Sequence, residues 1–128
     1  NPVLLAGLFK VKDSYNIDAI ANLVGAASMR DQAYKIECAE KVKASRSKMN
    51  LDLKNLGFTT FESHGNFILA TPPDSSQSLA ESLYLGLKER GILVRYFNQS
   101  GLEDKLRISI GTEEQNATLM EALVSLMK

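Results

Sequence analysis

Apolar residues recur along this chain with two different periods, and the change from one to the other organises it. Between residues 38 and 56, Cys38, Val42, Ser45, Met49, Leu53 and Leu56 return every three or four positions, which puts them in one stripe of a long helix. Lys41, Lys43, Arg46 and Lys48 spread over the rest of its surface, with Glu37, Glu40 and Asp52 close enough in sequence to keep that basic face solvated. Gly57 is predicted to stop the helix just past its cap, with Phe58 folding back on Leu53. The period then drops to two. "FTTFE" and "NFILAT" predict a short hairpin turning at residues 63–65, and "PPDSSQ" is a turn-rich surface connection. Ser78 and Glu81 read as a capping box for a helix to about residue 90, with Leu79, Leu83 and Leu87 inward and Gly91 as its stop. "ILVRYF" and "KLRISI" predict two more strands, and Thr112 with Gln115 caps a last helix that carries Leu119, Leu123 and Leu126 on one side.

Upstream, Asn1 is a good N-cap and Pro2 suits the first helical position, so a helix is expected over residues 2 to about 12, interrupted by "DSYN". A short helix over residues 18–27 follows, and Ser28 with Asp31 reads as a capped restart. The element order gives an α+β fold, with helices packed on one side of a small, largely antiparallel sheet. The strands within each pair are too close in sequence for helical crossovers.

At 128 residues and 45% hydrophobic, the chain is the size of one domain with a core of its own. Lys plus Arg balances Asp plus Glu at 15 each, so no bulk field attracts nucleic acid or anionic lipid. No apolar run approaches the roughly 20 residues of a membrane span. Cys38 is the single cysteine, which excludes an internal disulfide, fits a reducing compartment and makes the cytoplasm the expected location; its place in the stripe marks it as a core residue. The chain starts at a helix boundary without methionine, as a fragment or processed product would.

The chemistry concentrates in "LEDKLRISIG", residues 102–111. Leu106, Ile108 and Ile110 alternate onto one face, which sends Arg107 to the other. If "ILVRYF" and "KLRISI" pair as a hairpin turning near Gly101, Arg95 lies opposite Arg107. One face then carries Ile92, Val94, Tyr96, Leu106, Ile108 and Ile110, and the other carries two arginines with Leu93 and Phe97. A one-residue slip would undo this. Directly opposed side chains have Cβ atoms about 4.5–5.5 Å apart, where like charges destabilise the pair by tenths of a kcal/mol. A bound anion reverses that sign, because guanidinium offers paired donors to carboxylate or phosphate oxygens. Alternatively, either arginine pairs with a neighbouring acid such as Glu103, Asp104 or Glu113.

Other reactive constellations are missing. His64 stands alone in a loop, no second histidine or cysteine exists to complete a nitrogen or sulfur metal site, and neither "GxSxG" nor "GxxxxGK" occurs.

"KVKDSYNIDAIA", the long helix ending "LKNLGF", "SHGNFILA", "LKERGILVRYF" and "LEDKLRISIGTEEQN", in this order, resemble the C-terminal part of histidinol-phosphate aminotransferases, pyridoxal-phosphate enzymes of fold type I. The resemblance covers essentially all of the chain, and "GILVRYF" followed by "LRISIGTEEQN" is its most specific part. One departure is Ser14, where a proline commonly precedes the Tyr-Asn pair.

The resemblance implies a single small C-terminal domain over residues 1–128, with 1–28 as a helical lead-in from a large N-terminal domain outside this chain. That domain holds the lysine that anchors pyridoxal phosphate, so no catalytic or cofactor-binding residue is assigned here. The resemblance gives Arg107 and Arg95 to the substrate's anionic end and makes Tyr15, Asn16 and Asn66 candidate cleft residues, Asn66 mainly as a strand-entry position. The implied partners are glutamate and 2-oxoglutarate, and histidinol phosphate and imidazole-acetol phosphate; the complete subunit is expected to be a cytoplasmic homodimer. Rival expectations are another fold type I aminotransferase, a phospho-amino-acid decarboxylase, or a stand-alone anion-binding α+β module.

Overall fold

In the computed structural model, which describes residues 1–13 and 15–128, the chain divides into two units, Asn1–Glu37 and Cys38–Lys128. Ser14, where the resemblance departs from the family pattern, lies outside the described residues.

In the first unit α1 (Pro2–Val11) begins as expected, with the Asn1 side chain accepting from the Val3 amide at 2.9 Å and Pro2 at the first helical position. Asp18 caps α2 (Ala19–Arg30) by accepting from the Ala21 amide at 2.8 Å. The expected restart at Ser28 does not occur. α2 continues through Ser28, and Asp31 instead caps α3 (Gln32–Asn55), accepting from the Tyr34 amide at 3.1 Å. Alanines around Ser28 favour continuing the helix, and a carboxylate is a stronger acceptor than a hydroxyl. No residue of α1 or α2 is buried.

The second unit contains an antiparallel sheet of β1 (Thr59–Thr60), β2 (Phe67–Thr71), β3 (Arg95–Tyr96) and β4 (Leu106–Ser109), in the order β1-β2-β4-β3. One face of it meets helices. Ile68 and Ala70 from β2 and Leu106 and Ile108 from β4 join Met49 and Leu53 of α3, Leu83 and Leu87 of α4 (Gln77–Glu89), and Leu119 and Leu123 of α5 (Glu113–Leu126) in one buried cluster. This is the α+β layer that the order of elements predicts.

Both glycine stops hold, because each glycine takes the left-handed backbone that a side chain would strain. At Gly57 φ is +88°, and the Phe58 amide donates to the Leu53 carbonyl at 3.0 Å; at Gly91 φ is +75°, and the Ile92 amide donates to the Leu87 carbonyl at 2.9 Å. Phe58 is buried in the same cluster as Leu53.

Three further details differ from expectation. β1 and β3 are only two residues each, shorter than the strands expected over "FTTFE" and "ILVRYF". Ser76, not Ser78, caps α4, accepting from the Leu79 amide at 3.1 Å while Asp74 holds its own amide and hydroxyl at 2.9 and 2.8 Å. The Asp74 carboxylate fixes the Ser76 rotamer, an advantage that Ser78 lacks. The stripe on α3 is fully buried only at Met49 and Leu53, while Cys38, expected in the core, is half-buried and outside the cluster. Length explains this: 24 helical residues extend about 36 Å, whereas the longest strand, five residues, spans about 17 Å. Among the described residues no helix is long and apolar enough to cross a membrane.

Candidate functional site

β4 is a central strand, and its alternation divides the chemistry of the sheet. Leu106 and Ile108 are 0% and 1% exposed against the helices, while Arg107 and Ser109 face away. β3 pairs with β4 in the register Arg95↔Arg107 and Tyr96↔Leu106, the pairing expected from the hairpin. Directly paired residues of an antiparallel ladder share a face, so the two arginines stand side by side.

Two of the three acids that could have claimed these arginines are engaged elsewhere, and the third, Glu113, opens α5 with no ion pair to either among the described residues. Asp104 pairs with the Lys105 ammonium, whose hydrogen bond holds the Asp104 carboxyl below its ordinary value. The Glu103 carboxylate accepts from the Leu102 amide at 2.9 Å. Among the described residues, neither the Arg95 nor the Arg107 guanidinium has a hydrogen bond or ion pair with a protein group.

Their contacts are aromatic. Cζ of Arg95 lies 5.3 Å from the centre of the Phe97 ring, and Cζ of Arg107 lies 5.3 Å from that of Phe67 and 5.7 Å from that of Phe97. Each such contact at an exposed site contributes about 0.5–1 kcal/mol, comparable to the repulsion between opposed like charges. A ring offers a guanidinium its π electrons and no oxygen acceptor, so such a contact does not take up the N–H donors as a carboxylate would. The result is a patch that tolerates two positive charges while leaving their donors open to an anion.

Phe67 is the residue that sequence reasoning missed. Its nearness to Arg107 depends on β2 pairing with β4, in the register Phe67↔Ser109 and Leu69↔Arg107, which joins strands far apart in the chain. Asn66 enters β2 through its backbone, its carbonyl accepting from the Ile110 amide at 2.8 Å. Tyr15 and Asn16 belong to the Asn1–Glu37 unit, where both are exposed and Asn16 lines a shallow apolar cleft with Leu5, Leu8 and Phe9. His64 is exposed in the loop before β2, with Nε2 3.5 Å from Glu62 Oε1. Among the described residues no group of three or more histidines, cysteines or acids could hold a metal ion.

The far end of β4 is fixed by a second set of contacts. The Asn116 side chain accepts from the Gly111 amide at 3.0 Å and donates to the Gly111 carbonyl at 3.1 Å. Thr112 and Gln115 form the expected reciprocal cap of α5. Arg107 thus sits on a strand whose exit is held rigidly to the helix that follows.

A family model for class I and II aminotransferases matches residues 1–123. The chain belongs to this family. Among curated class I and II aminotransferases, histidinol-phosphate aminotransferase 1 of Trichormus variabilis is 60% identical over 128 residues, covering 100% of this chain and 36% of that protein. Histidinol-phosphate aminotransferase of Citrifermentans bemidjiense is 40% identical over 122 residues, covering 95% of the chain and 34% of the relative. The chain therefore spans about a third of the length of the curated aminotransferases it matches. Among solved structures, histidinol-phosphate aminotransferase of Clostridium acetobutylicum superposes with a TM-score of 0.79 at 26% identity, covering 98% of this chain and 38% of that one. The Sinorhizobium meliloti enzyme, solved with pyridoxal-5'-phosphate, superposes with a TM-score of 0.82 at 22% identity over 94% of this chain and 33% of that one, a likeness of fold.

Proposed function

We propose that this chain is the C-terminal small domain of a pyridoxal-phosphate-dependent histidinol-phosphate aminotransferase, with residues 1–28 leading in from a large N-terminal domain. Its task is to hold the anionic end of the substrate while an amino group passes between glutamate and imidazole-acetol phosphate. The observation that carries this is the pair of guanidiniums in one register, without acids and with donors free. Likeness to histidinol-phosphate aminotransferases along the whole chain favours that substrate over other amino acids.

The chemistry needs such a pair. Glutamate presents a carboxylate where the other substrate presents a phosphate of about −1.5 to −2 charge, and one site takes both in turn. Arg107, in the central strand, forks onto either anion; Arg95, beside it, adds the charge that the phosphate requires. Holding that end fixes the direction of the reacting C–H bond at the other. The residues on this face do not fit the cofactor itself: Lys105, the lysine two residues from Arg107, gives its ammonium to Asp104 and to the Gly101 carbonyl. Pyridoxal phosphate, which groups outside this chain would hold, would itself supply the electron sink. Asn66 is proposed as a strand-entry residue beside the arginines, and the complete subunit is proposed to be a cytoplasmic homodimer.

The test is made in the complete enzyme. Arg107→Ala is expected to raise KM for both glutamate and histidinol phosphate by roughly 10- to 100-fold, the value of hydrogen bonds to a charged group, and to lower turnover. Arg95→Ala is expected to harm the phosphate substrate more. Wild-type kinetics from Arg107→Ala with both substrates would overturn the assignment, and preference for phenylalanine or threonine phosphate would move the enzyme to another branch of the family.

A further inference from the structure

We infer that Phe97 and Phe67 are positioning residues, an aromatic clamp that holds the two guanidiniums in the geometry that captures an anion. This rests on the proposed function above.

Neither ring belongs to the buried cluster, and Phe67 is 40% exposed, so filling the core does not explain them. They lie on the open face, and all three of their contacts to charge are to the two arginines. Phe97 touches both guanidiniums, so one side chain fixes the spacing of the pair; Phe67 touches Arg107 alone. An arginine has a long, freely rotating stem and normally loses that freedom only when an acceptor holds it. An acid on this face would supply such an acceptor but would occupy the donors that the substrate needs. A ring restrains the guanidinium through its flat face and competes for none of its N–H groups. The aromatic contacts thus do what an ion pair cannot: they order the cation in advance and leave its fork empty. Because the arginines remain and only their order is lost, the loss is expected to appear in KM more than in kcat, whereas removing Arg107 itself also frees the reacting bond.

The experiment uses the complete enzyme with Phe97→Leu, Phe97→Tyr and Phe67→Leu, read by steady-state kinetics with both substrates, by melting temperature, and by calorimetric titration with inorganic phosphate. Phe97→Leu is expected to raise KM for histidinol phosphate roughly 3- to 30-fold, and less for glutamate, with kcat within about twofold of wild type. Phosphate affinity is expected to fall by a similar factor. Phe97→Tyr, which keeps the ring, is expected to restore both values, and Phe67→Leu is expected to raise KM for the two substrates equally, because it acts only through Arg107. At its exposed position Phe67→Leu supplies the same measurement should Phe97→Leu not fold.

Unchanged KM and unchanged phosphate affinity in both leucine variants would overturn the clamp while leaving the proposed function standing. So would a Tyr variant as impaired as Leu at a wild-type melting temperature, or a fall in kcat with KM unchanged. A wild-type enzyme that transfers no amino group from histidinol phosphate would instead remove the proposed substrate, and the phosphate titration would still decide the clamp.

Discussion

The two faces of one short sheet follow opposite rules. On the face covered by α3, α4 and α5, Leu106 and Ile108 are almost fully buried in an apolar cluster, with Tyr84 and Tyr96 packed at its edge. On the other, one residue away along the same strand, Arg107 is exposed beside Arg95 and two phenylalanine rings. The covered face is organised by removing surface from water, which is indifferent to the direction of approach. The open face is organised by specific contacts: rings close to cations, with no hydrogen bond or ion pair among the described residues taking the guanidinium donors. Alternation along β4 lets both rules act on neighbouring residues without compromise, so stability and anion capture are expected to respond to different substitutions.

The largest effect that would break this separation comes from the covered face. Leu106→Ala removes a fully buried side chain at the centre of the cluster and is expected to cost about 2–5 kcal/mol in denaturant unfolding. Arg107→Ala, its sequence neighbour, is expected to change stability by no more than about 0.5 kcal/mol, since it removes repulsion along with its ring contacts. If Arg107→Ala destabilises the fold as much as Leu106→Ala, the open face is structural and the comparison fails.

Much of this division is legible in the residues themselves. The alternation of Leu106, Ile108 and Ile110 sorts the faces, and the Gly101 turn sets Arg95 opposite Arg107. The glycine stops at Gly57 and Gly91 and the Thr112–Gln115 cap are local patterns that need only a few adjacent residues. What escapes is either degenerate or distant. Ser76 and Ser78 present the same hydroxyl two residues apart, and only the Asp74 contact, seen in three dimensions, separates them. The seating of Phe67 on Arg107 depends on β2 lying next to β4, a pairing between strands separated by a helix and β3, which no local period encodes. The arginines were thus readable as a pair, and their aromatic setting was only half readable.

A smaller effect sharpens the comparison at the point where the faces meet. Asn116 closes two hydrogen bonds onto Gly111, just past the end of β4. Asn116→Ala leaves both backbone groups seeking other partners and is expected to cost about 1–2 kcal/mol by thermal or denaturant unfolding. Asn116→Asp keeps the acceptor for the Gly111 amide and is expected to lose less. In the complete enzyme KM for the anionic substrates is expected to rise much less than in Arg107→Ala, because the register of β3 on β4 is set by the strands themselves. A KM change as large as that of Arg107→Ala would mean that the end of β4, not the arginine pair, governs anion capture.

The smallest effect concerns a third cation, Lys105, which immediately precedes β4. Lys105 is neutralised by Asp104, and its hydrogen bond, the largest cause, lowers the Asp104 carboxyl from its ordinary value of 3.8. The sign follows from linkage: a carboxyl held low in the folded state contributes stability above its unfolded value, and that contribution is lost as pH falls through the lowered one. The pair is part-buried, its side chains 16% and 26% exposed, and the solvent that still reaches it keeps the effect on unfolding small. Its titration is still measurable. In a carboxyl-detected NMR titration Asp104 is expected to titrate below 3.8 in the wild type and to move back towards that value in Lys105→Met. With Asp104 neutralised instead, in Asp104→Asn, Lys105 becomes an uncompensated charge two residues from Arg107, and affinity for inorganic phosphate is expected to rise slightly at low salt and to lose that gain as salt screens the added charge. A midpoint in Lys105→Met as low as in the wild type would show that the ammonium does not depress Asp104, and the separation between an unpaired arginine pair and a neutralised lysine would lose its electrostatic basis.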